Sequence, residues 1–65
     1  MQIELNGVNI TTDALTLEAL MIEYGFSANA VATTVNGAFI PRDARRTTLL
    51  SEGIKIEVLS PMQGG

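Results

Sequence analysis

Residues 1–25 read MQIELNGVNITTDALTLEALMIEYG, and a change of hydrophobic period inside this stretch decides the fold. Met1, Ile3 and Leu5 alternate with Gln2 and Glu4, the period-two pattern of a strand with one buried face. Asn6-Gly7 then supplies the dipeptide best suited to the two φ > 0 positions of a type I′ turn. Val8, Asn9, Ile10 and Thr11 resume the alternation, so the chain opens with a hairpin. Further on the period lengthens. Leu17, Leu20, Met21 and Tyr24 fall at i, i+3, i+4 and i+7, one helical stripe expected to face the sheet. Thr16 is placed to cap the helix N-terminus through its hydroxyl. Leu15 is expected to pack on Leu20 as a hydrophobic staple. Gly25 suits the left-handed position after the helix, with Phe26 folding back towards Met21. Glu18, Ile22 and Glu23 are expected to face water.

Beyond the helix, Val31 to Val35 is rich in β-branched residues and reads as a third strand. Asn36-Gly37 repeats the turn signal, and Ala38 to Ile40 forms a short fourth strand. Pro41 cannot donate to a ladder, so it ends that strand or marks a sheet edge. Asp43 to Leu50 reads as irregular chain or a single helical turn, anchored by Leu49 and Leu50. Ser51-Glu52-Gly53 is a turn, and Ile54, Ile56 and Val58 alternate with Lys55 and Glu57 in a last strand. The order ββαββ with one more strand describes an α+β roll: a mixed sheet with one main helix packed across one face. In the β-grasp form of that roll the last strand lies beside the first. A ferredoxin-like split βαβ arrangement would need a second helix of comparable length, for which residues 43–50 are too short.

Sixty-five residues make one small domain. A chain of this size buries only about 60% of the surface its unfolded form exposes, which leaves little room for a large pocket beside a core. That favours a carrier, modifier or binding module over a self-contained enzyme. Cysteine and histidine are both lacking, which removes disulfides, thiolate or imidazole metal ligands and the usual general base. No bound cofactor is expected. The formal net charge of −3 argues against nucleic acid as a partner. No signal peptide, bilayer-spanning run or prenylation cysteine is evident, so a cytoplasmic location without membrane attachment is expected. Arg42, Arg45 and Arg46 cluster and are read as a solvated face, with contact to an acidic partner patch as the functional alternative.

The sequence ends in Gly64-Gly65. A terminal glycine carries a carboxylate with no Cβ beside it, so it can enter a narrow catalytic cleft. The plain alternative is a frayed terminus. Ser60 to Gly65 shows no periodicity. The chain is therefore divided into a single domain, 1–60, and a flexible tail, 61–65, with mobility expected from Met62 onward. Extended, the stretch from Ser60 reaches roughly 20 Å at about 3.3–3.6 Å per residue. Leu59 and Met62 flank the exit of the tail, and at least one is expected to stay exposed, where a small apolar patch would suit docking.

These segments resemble a known family. Val35-Asn36-Gly37-Ala38-Phe39-Ile40-Pro41-Arg42 is similar to a V-N-G-x-apolar-apolar-P-R run. Leu50-Ser51-Glu52-Gly53 with Ile56-Glu57-Val58 is similar to an L-x-x-G-D-x-I-E-I segment, and residues 61–65 to a P-x-x-G-G tail. In order and spacing they resemble the ThiS family, sulfur-carrier proteins of thiamine biosynthesis in the ubiquitin-like β-grasp group. Three positions depart from the pattern. Ile54 stands where members usually have Asp, the glycine run is short, and Arg45 stands where members often carry Trp or another large residue. Read from sequence, the first affects a turn and the last a surface.

The resemblance implies that a ThiF-like adenylating enzyme uses ATP to couple AMP to the Gly65 carboxylate. Sulfur from a donor such as a cysteine desulfurase then yields a thiocarboxylate, which a ThiG-like thiazole synthase consumes. Gly64 would let the tail thread into the partner's cleft, and Leu59, Met62 and Arg42 are the candidate partner contacts. ATP and sulfur would act through the partners, the chain itself being a co-substrate rather than an enzyme. A related carrier for molybdopterin or an amino-acid pathway, a protein modifier ending in an isopeptide bond, and a plain binding module are the alternatives.

Overall fold

The computed structural model describes residues 1–60. Strands β1 (Gln2–Leu5) and β2 (Val8–Thr11) form the opening hairpin, with Ile3 opposite Ile10 and Leu5 opposite Val8. Asn6 and Gly7 both take positive φ, 51° and 82°, as the type I′ turn requires. Helix α1 (Leu17–Glu23) begins at Thr16, whose hydroxyl accepts from the Ala19 amide at 3.1 Å. It ends in a Schellman arrangement: the Phe26 amide donates to the Met21 carbonyl, the Gly25 amide to that of Ile22, and Gly25 has φ +74°. Strands β3 (Ala32–Val35) and β4 (Ala38–Ile40) form a second hairpin over Asn36-Gly37. A 3-10 helix (Arg42–Thr47) follows, and β5 (Lys55–Leu59) closes the order.

The sheet runs β2-β1-β5-β3-β4. Strand β5 pairs parallel with β1 and antiparallel with β3, so the last strand lies in the middle, beside the first. Helix α1 covers one face. Leu17, Leu20 and Met21 meet Ile3, Leu5, Ile56 and Val58, with Leu50 and Ile54 completing the core. The architecture is the ubiquitin-like β-grasp roll that the order of elements implied. Among the described residues no helix is long and apolar enough to cross a membrane.

Several local expectations are corrected. Tyr24 does not join the buried stripe: it is the C-cap, where the chain leaves the helical path, and it is 43% exposed. The Leu15 staple does not form, because residues 15–17 run extended beside residues 48–50. The Leu50 amide donates to Leu15 and the Leu17 amide to Thr48. That pairing buries Leu17 and Leu50 and turns Leu15 and Leu49 outward. Strand β3 starts at Ala32 rather than Val31, and the segment read as irregular chain or a single helical turn begins inside a six-residue 3-10 helix that starts at Arg42. Strand β5 starts at Lys55 rather than Ile54; Ile54 closes the preceding turn, its amide donating to Ser51, and its side chain is buried with Ile56 and Val58 as the alternation implied.

Arg45 is the largest departure from the sequence reading. It is 4% exposed, so it belongs to no solvated face. Its Nε donates to Thr33 Oγ1 at 3.1 Å, and its two terminal nitrogens donate to the carbonyls of Ala28 and Val31 at 3.0 and 2.8 Å. The planar guanidinium thus ties the loop after α1 to the 3-10 helix and satisfies groups that burial would otherwise leave unpaired. Thr33 is itself fully buried and donates to the Ile40 carbonyl, which closes the network.

Candidate functional site

The end of β5 is where the described chain hands over to the tail. Both asparagines of the Asn-Gly turns hold this strand. Asn6 Oδ1 accepts from the Val58 amide at 2.8 Å, and the Asn6 amide donates to Ile56 at 2.9 Å. Asn36 Oδ1 accepts from the Lys55 amide at 3.0 Å, while the Asn36 amide donates to the Lys55 carbonyl at 2.7 Å. Turn residues chosen for their left-handed backbone therefore also brace the central strand at two points. Sequence patterning marks them as turns but not as braces, because the braced partner is up to 52 residues away.

Leu59 closes β5 opposite Ala32 and is half exposed, in keeping with the expected apolar exit. Alternation along β5 puts it on the open face of the sheet, away from α1, with Glu57 and Lys55. On that face Thr34 donates to Glu57 Oε1 at 3.0 Å and pairs with Phe39 of the edge strand β4. Phe39 is 65% exposed. Leu59, Ala32, Thr34 and Phe39 thus make a mixed patch next to the tail. The sequence reading did not single out Phe39, although its place opposite in face to the half-buried Ile40 is readable in the alternation. Beside Leu59 lies a shallow depression of about 260 Å³, bordered by residues 29–32 and Ser60.

Arg42 belongs to a different region. It is exposed, donates to Asn29 Oδ1, and lines a groove between α1 and the 3-10 helix. Its partner Asn29 also borders the depression beside Leu59. Arg42 and Leu59 thus line two different concavities, with Asn29 between them. Met62, Gly64 and Gly65, together with the expected flexibility of residues 61–65, lie outside the described residues. Among the described residues no group of three or more carboxylates is arranged to hold a metal ion.

A mixed five-stranded sheet with one α-helix across one face and the last strand in its centre defines a ubiquitin-like β-grasp protein. The family model for the ThiS family matches residues 2–65. The chain belongs to the ThiS family. The crystal structure of a thiamine biosynthesis protein (ThiS) from Geobacter metallireducens is similar over the whole of both chains, with 29% identity and a TM-score of 0.87. An NMR solution structure of a thiamine biosynthesis protein from the same organism is similar over all of this chain and 88% of its own, at 29% identity and a TM-score of 0.81. Among curated proteins none matches this sequence.

Proposed function

We propose that this chain is the sulfur carrier for the thiazole ring of thiamine, with Gly65 as the carrier residue. The observation that carries the reading is the reach of the family match, which runs through the sheet and on to residue 65, so it includes Gly64-Gly65. A carboxylate is a poor electrophile, because its charge repels nucleophiles and an oxide is a poor leaving group. An adenylating partner overcomes this by attaching AMP from ATP, with release of pyrophosphate. A persulfide sulfur from a donor such as a cysteine desulfurase displaces AMP, and thiolysis of the S–S bond frees the thiocarboxylate. Thiazole synthase takes the sulfur and regenerates the carboxylate.

The residues suit this division of labour. The chain has no thiol or imidazole, so activation and sulfur delivery both fall to partners. Its own contribution is positional: a braced central strand, a mixed patch with Leu59 and Phe39 exposed for docking, and a terminus without side chains. Tails of this kind gain rate by holding the reacting group in place, where errors of about 1 Å cost about a hundredfold.

The test is intact mass after incubation with the adenylating enzyme, ATP and a sulfur donor. Replacement of one oxygen by one sulfur supports the carrier. Conjugates of higher mass support a protein modifier, and an unchanged mass overturns the reading.

A further inference from the structure

The geometry points to a second docking site: the groove between α1 and the 3-10 helix, which takes an acidic, amphipathic segment of a partner protein. The inference deepens the carrier reading, in which the chain must be held by more than one partner. The groove has a volume of about 440 Å³. Met21, Ile22 and Phe26 give it an apolar floor, and Ile22 is 73% exposed on the solvent side of α1.

Charge decides the class of occupant. Three of the chain's four cationic side chains, Arg42, Arg45 and Arg46, line this groove, together with the carboxylates Glu18 and Asp43. The rest of the chain has Lys55 alone against five carboxylate side chains. A local excess of positive charge therefore sits on an otherwise acidic molecule. Arg45 adds a second argument. Its guanidinium is buried at the groove wall, yet its three hydrogen bonds all go to neutral oxygens. None of these partners offsets the charge, and a carboxylate seated in the groove would. Arg42 and Arg46 are exposed beside it and offer the forked donors that match a carboxylate.

The apolar floor beside these arginines asks for an apolar side chain next to the acid, as one face of an amphipathic helix presents them. A long polyanion such as nucleic acid is repelled by the acidic remainder of the chain, whereas a short segment acidic only at the contact is not. The groove lies on the helix side of the sheet. A partner seated there leaves Leu59 and Phe39, on the open face, free for a second partner.

The test follows backbone amide shifts of the full chain by NMR during titration with a short helical peptide of Asp and Leu residues. Saturable shifts at Glu18, Ile22, Ala28 and Arg46 are expected, with none from a matched Lys and Leu peptide. The double substitution Arg42→Glu/Arg46→Glu should weaken binding about tenfold or more. Ile22→Glu, at an exposed apolar residue of the same groove, should also weaken it and serves if the double variant loses its dispersed spectrum. No saturable shifts, equal shifts from the basic peptide, or shifts at Phe39 and Leu59 instead would overturn the assignment. Inorganic phosphate alone reproducing the shifts would also overturn it, in favour of a small-anion site. Sulfur loading of Gly65 without peptide judges the carrier reading separately, so either idea can fail while the other stands.

Discussion

Asn6 and Val58 are joined by a 2.8 Å hydrogen bond from the Val58 amide to the Asn6 side-chain carbonyl, across 52 residues of sequence. A turn residue of the first hairpin thereby holds the strand that leads to the tail. On one side β5 pairs with β3 over four residues, but on the other its parallel pairing with β1 is recorded at two residue pairs only. The side-chain bond extends that short ladder by one more amide.

Replacing Asn6 separates the two roles of the residue. Asn6→Gly keeps the positive φ and loses the bond, and should cost about 1 kcal/mol. Asn6→Ala loses the bond and also places a Cβ in the left-handed region, adding about 1–2 kcal/mol. Thermal melting and hydrogen exchange at the Val58 amide are the measurements. Unchanged exchange in Asn6→Gly would mean that the brace does not hold β5.

Leu20 is fully buried between α1 and the sheet. Leu20→Ala should cost about 2–5 kcal/mol, through lost transfer energy and the cavity left behind. In so small a domain that is a large part of the total stability. Urea unfolding checks it, and a variant as stable as the parent would refute the packing.

Arg45→Ala leaves the carbonyls of Ala28 and Val31 without their donor and opens space under the groove. The expected cost is about 2–4 kcal/mol. Arg45→Lys keeps the charge but not the fork, so it should fall between parent and alanine. If Arg45→Ala unfolds at the parent's denaturant midpoint, the network adds nothing to stability.

Leu59→Glu and Phe39→Glu change exposed side chains on the open face. Both should leave the melting temperature within a few degrees of the parent. Sulfur loading by the adenylating enzyme should slow about tenfold or more, with the loss mainly in KM. Loading at the parent rate would remove this face from the docking surface.

Deleting Gly65 should abolish loading with an unchanged melting temperature, because the carboxylate withdraws by about 3.3–3.6 Å. Extending the chain by one residue should do the same, since Gly65 then becomes an amide. Gly64→Leu should slow loading through a clash with the partner's cleft. Mass spectrometry and melting on the same samples give the answer. Normal loading after removal of both glycines would eliminate the carrier reading.

The sequence by itself determined the elements whose signals are local. Both Asn-Gly turns, the Thr16 cap, the Gly25 terminator and the alternating strands depend on φ/ψ preference and hydrophobic period within a few residues. The resemblance of the motif from Val35 to Arg42 and of the terminal glycines was enough to suggest the family, and with it the proposal that Gly65 is the carrier. Tertiary structure decided what depends on contacts between distant segments. Arg45 looks like surface in sequence, because a charged residue is seldom buried. It is interior here because carbonyls of the preceding loop and a buried threonine converge on its fork. Leu15 and Leu49 look like core, yet the pairing of their two extended segments turns both outward. Tyr24 fits the helical stripe, but the helix stops one residue before it. The placing of Leu59 and Arg42 in two different concavities likewise depends on how distant segments pack, which no local pattern encodes.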